Sequence, residues 1–294
     1  MPPQWQSMVE QALGLRHAQW AACGYSGWGR SYSLHAGSTR YFVKSATGPY
    51  ASTLEAEADG LVALRSTGTI RVPEVVARLA SGDTSILVLE WLDVRAARKG
   101  AALGEALAAL HRAIPPRGPD GERYGWMHDN WIGGTRQLNR WTDDWCTFFR
   151  AQRLAPQLAL ASRDGGGGRL AHDGERLLVK LPALLRERDP TPTLLHGDLW
   201  SGNAATLADG GPVIFDPAVY AGDREADLAM TELFGGFDPD FYAAYNNAWP
   251  LEPDYAFRRD VYNLYHVLNH LNLFGGSYRM QAESLVARLL AFTG

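Results

Sequence analysis

The chain has little cysteine, no long apolar run and no basic excess, and each shortage removes a class of protein. Only two cysteines, Cys23 and Cys146, occur in 294 residues. Two thiols so far apart build neither a disulfide framework nor a zinc site, and they suit a reducing cytoplasm. No apolar stretch approaches the ~18 residues needed to cross a bilayer, and the opening Met-Pro-Pro-Gln-Trp-Gln lacks the basic-then-apolar order of a signal peptide. A soluble cytoplasmic protein with no membrane partner is therefore expected. The 28 basic residues are outnumbered by 32 acidic ones, and no basic run is present, which argues against a nucleic-acid partner. What the chain does have is 46% hydrophobic residues, enough to bury a sizeable core rather than stay disordered.

The hydrophobic spacing changes along the chain. Ser31–His35 and Arg40–Lys44 flank Ala36-Gly-Ser-Thr39 and read as a hairpin with Gly37 in its turn. Leu54, Ala58, Leu61, Val62 and Leu64 recur at helical spacing, with Ser52 or Thr53 as candidate caps. Val75–Leu79 and Ser85–Leu89 read as another strand pair around Ser81-Gly-Asp83. A polar run, 93–100, precedes an alanine-rich helix, Ala101–His111. Beyond it the pattern is mostly helical, with loops at 114–125 and at four consecutive glycines, 165–168, read as a mobile surface loop; only 194–216 looks extended. This predicts an α+β fold of two lobes: an antiparallel-sheet N-lobe with one helix over 1–93, and a larger, mainly helical C-lobe over 94–294.

The chemistry concentrates in Leu-His-Gly-Asp-Leu-Trp-Ser-Gly-Asn, 195–203, and in Ile-Phe-Asp-Pro, 214–217. Asp198 and Asn203 repeat the Asp-x-x-x-x-Asn spacing of the protein-kinase catalytic loop, and Asp216 falls where kinases place a second metal carboxylate. Phosphoryl transfer needs a carboxylate aimed at the acceptor hydroxyl, a role assigned to Asp198. Asn203 and Asp216 offer hard oxygens suited to Mg²⁺. His-Gly-Asp alone would be an ordinary turn; the joint pattern is far more specific.

Upstream, Lys44 ends a strand and is followed by a helix carrying glutamates, matching the kinase pairing of strand lysine and helix glutamate. Glu57 is the first choice of partner and Glu55 the alternative. Ser26, Gly27 and Gly29 form a candidate phosphate-covering loop, and Glu90 to Leu92 a candidate hinge for adenine. Asp227 reads as an anchor accepting backbone hydrogen bonds from the catalytic loop, and Asp223 as a helix cap. His266 and His270 stand at a zinc-chelating spacing, but without the metalloprotease glutamate they read as a packed helix. Trp131, Asp144, Trp200, Arg224 and His266 are the candidates for holding the acceptor.

Taken together, these segments resemble the fructosamine kinase family, the fructosamine-3-kinases and ketosamine-3-kinases, within the protein-kinase-like fold. The resemblance runs from about Arg40 to the C-terminal helices. It rests on Phe-Val-Lys (42–44), Asp-Asn-Trp-Ile-Gly (129–133) and His-Gly-Asp-Leu-Trp-Ser-Gly-Asn (196–203). It continues in the Gly-Asp-Arg-Glu-Ala-Asp block that opens 222–237 and in Leu-Asn-His-Leu-Asn-Leu-Phe-Gly-Gly (268–276). It implies phosphorylation of the sugar 3-hydroxyl of a small-molecule or protein-bound ketosamine, with ATP and Mg²⁺. The product falls apart, so the outcome is deglycation. Asp198 would be the base, Asn203 and Asp216 the Mg²⁺ ligands, and Lys44 with Glu57 the phosphate clamp. The nucleotide loop departs from the family pattern, with Tyr25-Ser26 where relatives show a Gly-Gly pair. Some relatives carry a redox-active cysteine in that loop; here Cys23 lies slightly upstream. An aminoglycoside- or choline-type phosphotransferase and a catalytically silent nucleotide-binding protein remain the alternatives. Monomer and homodimer are both open.

Overall fold

A computed structural model describes residues 1–95, 99–163, 168–185 and 188–292. The glycine run expected at 165–168 therefore lies outside the described residues except for Gly168, as do 96–98 of the polar run. The chain begins with α1 (Pro3–Leu13), then β1 (Gln19–Ser26), β2 (Gly29–Ala36), β3 (Thr39–Thr47), α2 (Ala51–Ser66), β4 (Val75–Ser81) and β5 (Thr84–Glu90). The five strands form one antiparallel sheet in the order β1-β2-β3-β5-β4. The expected hairpin is present, with Gly37 at φ 61° in its turn, a left-handed value that glycine adopts without a Cβ clash.

Strand alternation sorts this sheet into two faces. Tyr32, Leu34, Val43, Ile86 and Val88 form a cluster with Val9 of α1, while Ala46, Leu87 and Leu89 pack with Leu54, Ala58, Leu61 and Leu64 of α2. Both faces of β5 are covered, so it is apolar almost throughout. The N-lobe thus carries two helices rather than the expected one. The signal for α1 was present in Trp5, Met8, Val9 and Leu13 at helical spacing behind a proline suited to a first turn. The expected cap of α2 is absent: Tyr50 takes the N-cap position and Thr53 turns its hydroxyl back to the Tyr50 carbonyl at 2.7 Å.

The rest of the chain contributes β6 (Val94–Arg95), α3 (Ala101–Arg112), β7 (Asn130–Ile132), β8 (Thr135–Gln137), α4 (Trp145–Phe148) and α5 (Ala155–Arg163). These are followed by α6 (Arg169–Leu184), β9 (Thr193–Leu195), β10 (Ala204–Leu207), β11 (Pro212–Ile214) and β12 (Tyr220–Gly222). The chain closes with α7 (Glu225–Leu233), α8 (Pro239–Ala248), α9 (Tyr255–Phe274) and α10 (Tyr278–Ala291). The pair β7–β8, and β12, which pairs with β9 at the start of the expected stretch, are extended segments that the expectation of a single one at 194–216 did not include.

Helix α9 is the centre of the helical lobe, with Val261, Leu264, Val267 and Leu268 fully buried and α5, α7 and α10 against it. Trp145 stacks on Phe148 and donates to the Tyr262 hydroxyl at 3.1 Å, so this tryptophan is core. Helices α3 and α8 meet at Gly104, where an added Cβ would lie 2.2 Å from the Phe241 carbonyl oxygen. Gly104→Ala is expected to force the helices apart and cost ~1–3 kcal/mol, readable as a lowered melting temperature.

Candidate active site

The sheet and the helical lobe enclose a cleft of about 410 Å³. Lys44 enters it from the α2 face of β3. Its ammonium lies 2.8 and 2.9 Å from the two carboxylate oxygens of Glu57 and 2.6 Å from Asp216. Glu57, not Glu55, is thus the partner, because the turn of α2 aims position 57 at the sheet and leaves position 55 exposed. Burial works against the charge on Lys44, but the Asp216 and Glu57 carboxylates outweigh it and hold the lysine well above its ordinary pKa.

Asp198 follows β9 at Gly197, whose φ is 81° and where an added Cβ would lie 2.0 Å from the Ala218 carbonyl oxygen, so only glycine fits. Asn203 reaches back: its amide nitrogen donates to the Asp198 carbonyl at 2.9 Å and to the Asp198 carboxylate at 3.3 Å. Burial, helped by the charges of Asp216 and Asp227, raises the Asp198 pKa to about 7, against the lowering effect of the Asn203 bond. Asp216 stands at φ 59°, a left-handed conformation uncommon for non-glycine residues and one that aspartate adopts more readily than most.

Three acceptor-donor constraints fix the loop. The Asp227 carboxylate accepts the His196 amide at 2.7 Å, the Gly197 amide at 2.8 Å and the His111 Nε2–H at 3.2 Å. This is the anchoring role expected for Asp227. The Asp198 amide donates to His196 Nδ1 at 3.3 Å, so the ring proton sits on Nε2, which donates to the Phe215 carbonyl at 3.0 Å. Burial lowers the His196 pKa and keeps this ring neutral. A single imidazole therefore ties the loop of Asp198 to that of Asp216.

Asn203 and Asp216 fit a hard cation in donor chemistry. The Asn203 nitrogen is committed to carbonyl and carboxylate acceptors, which leaves its amide oxygen for a metal, and the Asp216 side chain is 47% exposed in the cleft. Among the described residues no group of three His, Cys, Asp or Glu could hold a metal by itself. Two protein oxygens completed by phosphate and water are the usual Mg²⁺ arrangement.

The other expected site residues divide. Ser26, Gly29, Trp131 and Trp200 line the cleft. Gly27 occupies the turn between β1 and β2, facing open space. Glu90 and Leu92 border a smaller apolar recess of about 260 Å³ with Phe42, Leu89, Trp91 and Phe215. Three expected acceptor residues lie elsewhere. Asp144 is an N-cap, accepting the Thr147 amide at 2.6 Å. Arg224 is buried and spends its guanidinium on the Trp249 and Pro250 carbonyls at 2.9 and 2.6 Å. His266 is buried beside Tyr265 in α9 and does not line the cleft.

Trp28 was missed. It lines the cleft and crosses to the β7–β8 turn, where a Cβ on Gly134 would lie 2.9 Å from its ring. Its only sequence signal was an aromatic between two glycines of the candidate loop. Cys23 and Cys146 are free, the former exposed on β1.

A sheet lobe and a helical lobe with lysine, glutamate, Asp-x-x-x-x-Asn and a second Asp in one cleft define a protein-kinase-like phosphotransferase. The chain belongs to the fructosamine kinase family, whose model, described as "Fructosamine kinase", matches residues 5–292. A Synechocystis protein named "Probable ketoamine kinase" is 47% identical over 89% of this chain and 86% of its own. The chloroplastic protein-ribulosamine 3-kinase of Arabidopsis thaliana is 41% identical over 87% of this chain and 77% of its own length. A solved structure bearing the name fructosamine-3-kinase, from Haemophilus somnus, superposes with a TM-score of 0.84 at 30% identity, covering 97% of both chains.

Proposed function

We propose that this chain uses ATP and Mg²⁺ to phosphorylate the sugar 3-hydroxyl of ketosamines on lysine or on proteins, and so leads to deglycation. The observation that carries the reading is the single cluster of Asp198, Asn203, Asp216, Lys44 and Glu57 in a chain of the fructosamine kinase family. The names of its relatives support ketoamine acceptors, including protein-bound ribulosamine.

Asp198 takes the proton of the attacking hydroxyl. Its environment suits a base, since a pKa near the working pH balances ionisation against proton affinity. Asn203 orients that carboxylate. Lys44, steadied by Glu57, holds phosphate oxygens, and Ser26 and Gly29 cover them from the β1–β2 turn. Mg²⁺, held by the Asn203 amide oxygen and the Asp216 carboxylate, would neutralise phosphate charge. The recess beside Glu90 and Leu92 takes the adenine, Phe42 and Phe215 supplying its apolar walls. We place the lobe boundary at 93/94: β6 pairs with β10 of the helical lobe, so the chain crosses over just before it.

The test is ADP release with Mg²⁺-ATP and fructoselysine or ribuloselysine, run beside kanamycin and choline. Turnover of a ketosamine and not of the other two is expected. Turnover of kanamycin alone would replace this reading with an antibiotic kinase.

A further inference from the structure

Beside the cleft lies a group of rings that phosphoryl transfer does not use. Phe234 follows α7, His270 and Phe274 sit on successive turns of α9, and Tyr278 opens α10. The His270 ring lies 4.9 Å from Phe234, 5.5 Å from Phe274 and 5.1 Å from Tyr278, centroid to centroid. Phe234 is 40% and Phe274 58% exposed, so these faces meet solvent rather than the core. His270 Nδ1 is 2.8 Å from the His266 carbonyl. A carbonyl only accepts, so the proton is on Nδ1 and Nε2 remains an acceptor. Burial lowers the pKa of His270, which makes it a fourth neutral ring rather than a cation.

The cluster adjoins the cleft at two points. Leu273, between His270 and Phe274, shares the Gly133 surface with Trp28: a Cβ on Gly133 would lie 3.2 Å from each side chain. On the other side, Phe234 leads into Gly236, where a Cβ would lie 2.6 Å from the Ser201 Cβ, next to Trp200 in the catalytic loop. The rings are thus an outward continuation of the wall that carries Gly133 and Trp200.

We propose that this aromatic surface seats the substituent on the amine of the ketosamine acceptor, the aliphatic side chain of a lysine. The inference rests on the acceptor class proposed above. For its 3-hydroxyl to reach Asp198, the sugar must occupy the cleft. The amine sits at the adjoining end of the sugar, and whatever it carries must leave the cleft over a neighbouring wall. Aromatic faces suit both a methylene stem and the positive charge of the amine. A surface with no guanidinium or imidazolium among its rings does not repel that charge.

The test compares two acceptors that share the fructose moiety: its adduct with methylamine and its adduct with Nα-acetyl-lysine. One methylene in an apolar site discriminates by roughly tenfold or more. The unsubstituted protein is expected to show the lower KM for the lysine adduct. Phe234→Ala with Phe274→Ala, at positions 40% and 58% exposed, is expected to raise that KM by about tenfold and to erase the preference, with KM for ATP unmoved. An unchanged preference, or an equal loss on both adducts, would overturn the inference while leaving the acceptor class standing. Failure of the unsubstituted protein on both adducts would instead overturn the acceptor class, and this inference with it.

Discussion

Asp198→Asn is expected to lower kcat by ~10²–10⁴-fold, the range for loss of a general base, while nucleotide still binds. The substitution keeps the size of the side chain and removes its proton affinity. Lys44, Glu57, Asp216 and the recess beside Glu90 are untouched, so affinity for ATP should persist. The Asn203 amide, which now donates to the Asp198 carboxylate at 3.3 Å, can donate equally to the new amide oxygen, and the loop keeps its shape. Single-turnover ADP formation measures the first quantity and titration calorimetry with ATP the second. A variant with near-normal kcat would remove Asp198 from the chemistry. A variant that lost ATP binding as well would assign it a structural role instead.

The parts of the site that could be read in the sequence are those built by one short segment. Asp198, Asn203 and Asp216 are fixed by two neighbouring loops, so their spacing carries most of their geometry. The pairing of Lys44 with a helix glutamate was legible from two periodicities, but the choice between Glu57 and Glu55 was not. It depends on the rotation of α2 against the sheet, which is set by Leu54, Ala58 and Leu61 packing on Leu87 and Leu89. Beyond Trp131 and Trp200, which line the cleft, the proposed acceptor wall was illegible because it is assembled from Trp28, the 133–134 turn, the end of α7 and the end of α9. No local pattern joins these pieces. Arg224 and Asp144 were misplaced for a shared reason: charged residues near a catalytic motif suggest ligands, whereas here backbone carbonyls and a helix amide satisfy them.

The Gly-Asp-Arg-Glu-Ala-Asp block shows what such residues do instead. Arg188 pairs with Asp223 at 2.5 Å and with Glu225 at 3.1 Å, and Arg258 pairs with Glu225 at 2.7 Å, all nearly inaccessible. Tyr262 of α9 donates to Asp223 at 2.6 Å. Charges buried this way are costly unless fully paired, and here each carboxylate meets a guanidinium. The network pins the first turn of α7, and that turn delivers Asp227 to the catalytic loop. The chemistry of Asp198 therefore depends on ion pairs that never touch a substrate.

Asp227→Asn is the direct test of that dependence. The carboxylate accepts three donors, two backbone amides and the His111 ring. An asparagine supplies one oxygen and must turn its NH₂ toward a donor. Leaving buried donors unpaired costs ~1–3 kcal/mol each, so the variant is expected to lose about 2–4 kcal/mol of stability and to loosen Asp198. The loss depends on pH with a definite sign. Burial works against the charge of Asp227, but the hydrogen bond and charge of His111 and the Gly197 amide hold its pKa below the ordinary value. A carboxylate depressed on folding contributes fully above its unfolded pKa of ~3.9, and the contribution fades as pH falls through the folded value. Urea melts of the two proteins should thus differ most near neutrality and converge in acid, where a protonated Asp227 resembles the asparagine. A gap of equal size at every pH would show that the charge of Asp227 is irrelevant to the loop it holds, and with it that the buried network behind α7 serves packing alone.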